Sequence, residues 1–181
     1  MLELTRPFGA RVRSFVSAAV SFSTAREPWQ LDGYWALRHE VFCRETQLFH
    51  SQLAERDAHD AHAIPLVALD HWAGAALDVV GAVRIYETAD EPGVWYGGRL
   101  GVASAYRAHG KVGGGLIALA VGTARAHGCT RFLANVLAPN RGYFERHHFS
   151  ARRELELCGQ PHVLMQAELA HFPVVTRELH A

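Results

Sequence analysis

The stretch Leu100-Gly-Val-Ala-Ser-Ala-Tyr-Arg107-Ala-His-Gly110-Lys-Val-Gly113-Gly-Gly115-Leu decides the fold. Strand-like residues end near Val102, helical spacing begins near Val112, and the turn between carries Arg107, Lys111 and glycines at 110 and 113 to 115. Glycine lets backbone approach a ligand without a Cβ in the way. A helix N-terminus offers unpaired N–H groups and a partial positive charge, so anions are stabilised there. Arg107 and Lys111 add formal charge, and an Arg fork can grip phosphate oxygens in a bidentate way. The turn therefore reads as a phosphate site. It is not a Walker loop, because Val112 stands where Ser or Thr must follow Gly110-Lys111. Nor is it a dinucleotide fingerprint, since Gly110 is not followed by x-Gly and no βαβ unit precedes it.

Working outward, three apolar runs lie upstream: Ile64 to Leu69, Val79 to Tyr86 and Val94 to Val102, separated by turns at 73–78 and 90–93. Such spacing predicts an antiparallel meander, with Pro65 at the start of its first strand. Before it, Val16 to Ala25 reads as a first strand. Asp32 offers an N-cap to a helix carrying Tyr34, Leu37, Val41, Phe42 and Leu48, and Gln52 to His62 reads as a short helix or loop. Downstream, Leu116, Leu119, Ala120, Thr123 and Ala124 mark a helix that Gly128 stops. Arg131 to Leu137 reads as a strand, Asn140 to His147 as a short helix, and His162 to Leu169 as a last strand. The sum is an α/β (α+β) chain on a single mixed, mostly antiparallel sheet flanked by helices. It divides into an N-terminal extension, 1–13, and one domain, 14–181.

The 181 residues suffice for one substantial core. Lys plus Arg number 18 and Asp plus Glu 18, so no bulk field draws the chain to nucleic acid or to an acidic membrane. Anions must be held locally. No stretch approaches the roughly 20 apolar residues that span a bilayer. Cys43, Cys129 and Cys158 form no even framework and read as free thiols, consistent with a cytoplasmic protein.

Arg107-Ala-His-Gly110 with Gly113 to Leu116 resembles the R/Q-x-x-G-x-G/A motif of the GNAT acetyltransferases, with Val112 and Gly113 one place out of step, as if a residue were inserted. Leu37-Arg38-His-Glu-Val41-Phe42-Cys-Arg-Glu45 resembles the first helix of a GNAT subgroup. Tyr143-Phe144-Glu-Arg-His-His-Phe149 resembles the F-Y-E-K-x-G-F segment, and Pro161-His162-Val-Leu-Met165 a P-H-x-x-M strand. Asp57-Ala-His59-Asp60, Ala63 to Asp70 and Val94 to Val102 are similar to GNAT proteins encoded beside a nitrilase in a bacterial gene cluster linked to nitrogen starvation. The resemblance implies a GNAT fold and transfer of acetyl from acetyl-CoA, as co-substrate, to an amine. It implies cofactor contacts at Leu100, Val102, Arg107, His109, Gly110, Lys111, Val112, Gly113, Gly114 and Asn140. An oxyanion donor is expected near Val102, where GNAT strands splay.

His162, Tyr143 and Asp60 are the candidate catalytic residues, with Asp57, Glu87 or water as other routes for the proton. The family tyrosine aligns with Phe144, and Tyr143, one residue earlier, is rotated about 100° away on a helix. Asp57, His59, Asp60 and His62 crowd four potential ligands together, but loop donors so close in sequence rarely converge, and no metal is expected. Arg38 and Glu45, seven apart, read as a solvated helix edge. Cys158 and His162 are separated by a turn, with nothing to mark the thiol as reactive. The expected partner is a small-molecule amine, with no nucleic acid, no membrane, and a possible homodimer. The alternatives are a catalytically idle CoA-binding sensor or partner module, and an enzyme with a longer acyl donor, as in homoserine-lactone synthases.

Overall fold

A computed structural model of the protein describes residues 20–108 and 111–175. Seven strands form one sheet in the order β1-β2-β3-β4-β5-β7-β6. They are β1 (Val20–Thr24), β2 (Ile64–Trp72), β3 (Ala75–Glu87), β4 (Val94–Val102), β5 (Arg131–Leu137), β6 (Phe149–Leu157) and β7 (Gln160–Ala167). Only β4 and β5 run parallel; every other neighbouring pair is antiparallel. The meander ends on β4 as the apolar runs predict. The extension 1–13 and the first residues of the predicted first strand lie outside the described residues, as do His109 and Gly110.

Two helices cover opposite faces of the sheet. Helix α1 (Pro28–His39) packs Tyr34 and Leu37 with Val67, Val79 and Ala82. It starts at Pro28, not at Asp32. Glu27 and Gln30 close a capping box, Gln30 Oε1 accepting from the Glu27 N–H at 3.1 Å, and Pro at the first helical position has no N–H to leave unpaired. The helix then widens into a π-helical turn, Glu40–Glu45, whose Thr46 N–H reaches back five residues to the Val41 carbonyl. A short helix α2 (Gln52–Glu55) and a 3-10 turn (Ala58–Ala61) follow.

Helix α3 (Lys111–Ala126) packs on β1 to β4 and buries Val112, Leu116, Ile117, Ala120 and Ala124. Gly128, with φ +86°, stops it. The Gly128 N–H bonds the Arg125 carbonyl and the Cys129 N–H bonds the Ala124 carbonyl, a Schellman pattern, so Gly128 ends the helix as the sequence predicts. Beyond β5, α4 (Arg141–Glu145) is a single turn. Strand β6 is absent from the sequence reading. It is an edge strand whose exposed Arg152, Arg153, Glu154 and Glu156 obscure the alternation, and such charges guard an open edge.

Candidate active site

The parallel ladder of β4 and β5 is short. Val94 to Gly97 pair with Arg131 to Ala134; beyond them β5 keeps β7 as its partner and β4 keeps β3. The strands therefore part at Gly98, well before the splay expected near Val102, and a cleft of about 520 Å³ opens between them. A β-bulge shapes its wall. Arg99 and Leu100 together face Val83, and Arg99 adopts φ +56°, a conformation non-glycine residues seldom take. The π-helical turn closes the other side with Val41, Phe42 and Glu45. Such turns are rare and recur at functional sites.

Leu100, Val102, Arg107, Gly113, Asn140, Tyr143 and His162 all line this cleft. Beside it lies a shallower depression bounded by Arg107, Lys111, Gly114, Tyr143, Arg146 and His147. The first turn of α3 thus meets three cations, and its leading N–H groups have no intrahelical acceptor. An acyl-CoA fits this donor set: amides and cations for phosphates, and an open strand edge beyond. Arg107 lines both the cleft and the depression. Its Nε donates to the Val102 carbonyl at 2.7 Å and its Nη2 pairs with Glu45 across the mouth of the cleft.

The glycines of the turn also answer to neighbours other than a ligand. A Cβ on Gly113 would lie 2.5 Å from Tyr143 Oη, one on Gly114 2.6 Å from His147 Nε2, and one on Gly115 2.2 Å from the Phe22 ring. Close packing of α3 on α4 and β1 leaves a side chain there no room unless Tyr143, His147 or Phe22 shifts. Val112, the residue out of step with the motif, turns into the core and meets Gly81.

His162 stands on β7 opposite Leu137, buried, with Nδ1 at 2.8 Å from the Gln160 carbonyl. A carbonyl only accepts, so Nδ1 donates to it, which makes Nε2 the acceptor of the neutral ring, and Nε2 has no hydrogen-bond partner among the described residues. Tyr143 has its hydroxyl beside Gly113, at the first turn of α3, and burial raises its pKa, with Arg146 opposing. Phe144 lines the cleft as well. The Tyr106 hydroxyl is committed: burial and a hydrogen bond to Asp70 push it up to about 12.

Asp60 does not line the cleft. It sits in a buried cluster of Arg38, Arg84 and Arg99 with Glu55, Asp57 and Asp60. Arg38 donates to Asp60 at 2.7 Å and to Glu55 at 2.8 Å, and Arg84 reaches Asp60 at 2.8 Å. Burial alone would raise the Asp60 carboxyl, but the bonds from Arg38 and Arg84 outweigh it and hold it far below the usual range. A carboxylate so stabilised is a poor base, and the expectation of catalysis by Asp60 gives way to a scaffolding role. Asp57 and Asp60 also close a capping box on the 3-10 turn. Arg38, expected at a solvated edge, is wholly buried. Of the crowded histidines, His59 stacks on Tyr86 at 4.2 Å, and among the described residues no group of three His, Cys, Asp or Glu could hold a metal ion. No described helix is long and apolar enough to cross a membrane.

Arg99, Arg146 and His147 were not singled out by the sequence. The first follows Gly97-Gly98, where a bulge could be suspected; the others sit in the recognised Tyr143–Phe149 segment but face the neighbouring depression.

Comparison with known proteins agrees with this geometry. The structure is similar to Escherichia coli ElaA, at TM-score 0.68 and 22% identity over 83% of this chain and 100% of that one. It is similar to an acyl-CoA N-acyltransferase from Pseudomonas aeruginosa, at TM-score 0.63 and 20% identity over 82% of this chain and 99% of that one. These likenesses show the fold. Among curated proteins none matches. Residues 23–149 match the family model described as the Acetyltransferase (GNAT) family, whose members use acyl-CoA as co-substrate. The chain, with its parted β4 and β5 and the glycine turn at their end, belongs to that family.

Proposed function

We propose that the protein is an N-acetyltransferase that moves acetyl from acetyl-CoA to the amine of a small molecule by direct attack. The observation that carries this reading is the cleft between β4 and β5, with the cationic first turn of α3 near one end and, on its wall, His162, whose Nε2 has no hydrogen-bond partner among the described residues. The co-substrate supplies an activated thioester. The chain supplies position, charge and a proton acceptor.

An amine of pKa about 10.4 costs roughly 4–5 kcal/mol to neutralise at pH 7. His162 Nε2 takes that proton, directly or through water, and a base so placed is worth about 10²–10⁴ in rate. Backbone N–H groups along 98–102 meet the negative charge that develops on the carbonyl oxygen, one such donor being worth about 2.7–4 kcal/mol. A thiolate of pKa near 8.5 leaves readily at neutral pH, so Tyr143, beside the phosphate turn, need not protonate it. The segments Asp57 to Asp60, Ala63 to Asp70 and Val94 to Val102 support placing the chain in the nitrilase-linked subgroup.

Thiol release from acetyl-CoA across a panel of small amines and basic peptides tests the proposal. Small amines should be the better acceptors. His162→Ala should lower kcat by about 10²–10⁴, and Tyr143→Phe should change it little. Tight acetyl-CoA binding with no thiol release from any amine would identify a CoA-binding module instead.

A further inference from the structure

We propose that the acceptor is an amine that also carries a carboxylate, and that Arg99 is the residue that binds that carboxylate. The inference rests on the acyl-transfer reading and names the substrate class of the same site.

Arg99 stands on the β4 bulge just past the point where the strands part, and it lines the cleft. Its guanidinium is held rigidly. Nε donates to the Glu55 carbonyl at 3.2 Å and its carboxylate at 3.0 Å; Nη2 donates to the Glu55 carbonyl at 2.8 Å and to Asp57 at 3.3 Å. The guanidinium carbon lies 4.4 Å over the Phe49 ring, which fixes its plane. Nη1 has no hydrogen-bond partner among the described residues, so two N–H groups remain for an acceptor oxygen. A left-handed backbone at a non-glycine residue costs free energy and persists where the surroundings impose it, often at ligand sites.

The charges around it point the same way. Burial opposes the positive charge on all three arginines of the cluster. At Arg38 and Arg84 their carboxylate partners more than offset it, and both are held above the ordinary value. At Arg99 burial and the neighbouring Arg84 outweigh Glu55 and Asp57, and the group is held below it. Of the three, Arg99 is the one whose charge the protein leaves undercompensated, and it is 18% exposed where Arg38 and Arg84 are 0% and 3%. An Nη1 with no hydrogen-bond partner among the described residues suits a carboxylate, whereas the phosphates of the co-substrate have the first turn of α3. Val41, Phe42 and Leu48 line the same cleft and offer apolar surface to the rest of the acceptor.

The test compares leucine with leucinamide and isoamylamine, and glutamate and β-alanine with their amides, by calorimetry on the protein saturated with CoA, which cannot transfer. In each set the acid should bind at least about tenfold tighter, or 1.4 kcal/mol. Arg99→Lys should erase the preference, and in turnover should raise KM for the acid well beyond any change in KM for the amide. The comparison of acids with amides uses the unaltered protein and stands even if the variant folds poorly. Equal binding of acids and amides in every set, or a preference that survives Arg99→Lys, overturns the proposal. Amines acetylated without regard to the carboxylate would remove this inference alone and leave acyl transfer standing. Acid-selective binding with no thiol release would do the opposite.

Discussion

Two groups of cations, indistinguishable in a count of charges, behave differently in the fold. Arg38 and Arg84 lie beneath the sheet's α1 face, buried against Glu55, Asp57 and Asp60 at distances of 2.5 to 2.8 Å. Arg107, Lys111 and Arg146 gather at the first turn of α3, and the one carboxylate paired with them among the described residues is Glu45. The first group is closed: its charges answer one another and tie α1 and the 3-10 turn to β3. The second is open: its charges exceed their partners and face a depression. A net charge of zero hides both, and what separates scaffold from site is whether each charge has its partner within the chain.

The closed group predicts the largest effect. Removing Arg38 would leave Glu55 and Asp60 as buried charges short of their partner, and breaking a buried pair in this way costs about 3–5 kcal/mol. Arg38→Ala should lower the unfolding free energy in urea by that amount; a loss under about 1 kcal/mol would mean that the cluster is not closed. Acid attacks the same group. Asp57 and Asp60 are both held below the ordinary carboxylate range, so each is ionised more readily folded than unfolded. Their contribution is complete above the unfolded value, about 3.9, and is lost as pH falls through their lower folded values. Stability should therefore fall with acid below about pH 4, and Asp60→Asn should flatten that limb of the curve.

At the edge of the open group, Gly113 separates helix propensity from packing. Gly→Ala inside a helix gains roughly 0.5–1 kcal/mol when space allows. Here the Cβ would meet Tyr143 Oη at 2.5 Å and Cζ at 3.3 Å. Overpacking costs about 1–3 kcal/mol, so Gly113→Ala should destabilise. In a Tyr143→Phe background the nearest atom is gone and most of that loss should vanish. No loss in either background would return Gly113 to a purely ligand-facing role.

The architecture was legible where periodicity was strong. Val94 to Val102 and Arg131 to Leu137 are alternating or continuous apolar runs with clear turns, and both are strands with those bounds. Charges hid β6. The N-terminus of α1 was misplaced because Asp32 looked like a cap while Pro28 and the Glu27–Gln30 box did the capping. In the site, the glycine turn was visible because glycines and cations adjoin in sequence. Arg99 and the Arg38–Asp60 pairing were not, because a bulge and a contact across 22 residues leave no local pattern. The glycines were legible as glycines but not for their reason, since Phe22 and Tyr143 are remote in sequence.

The smallest effect is the one that defines the open group. Arg107 has 44% of its side chain exposed and holds Glu45 and the Val102 carbonyl at the rim of the cleft. Losing it removes one phosphate contact and leaves a half-exposed carboxylate that water can serve. Arg107→Ala should thus weaken acetyl-CoA binding about tenfold, near 1.4 kcal/mol, while unfolding changes far less than for Arg38→Ala. Salt sharpens the contrast. Exposed charges are screened within about 10 Å at 0.1 M, whereas buried pairs are screened much less. Calorimetry at low and high salt should show acetyl-CoA affinity falling, and falling less steeply in Arg107→Ala, while the urea midpoint, corrected for the general effect of salt with Arg38→Ala, barely shifts. Affinity indifferent to both salt and Arg107 would mean that the α3 turn does not hold phosphate, and the open group would be no more than a solvated rim.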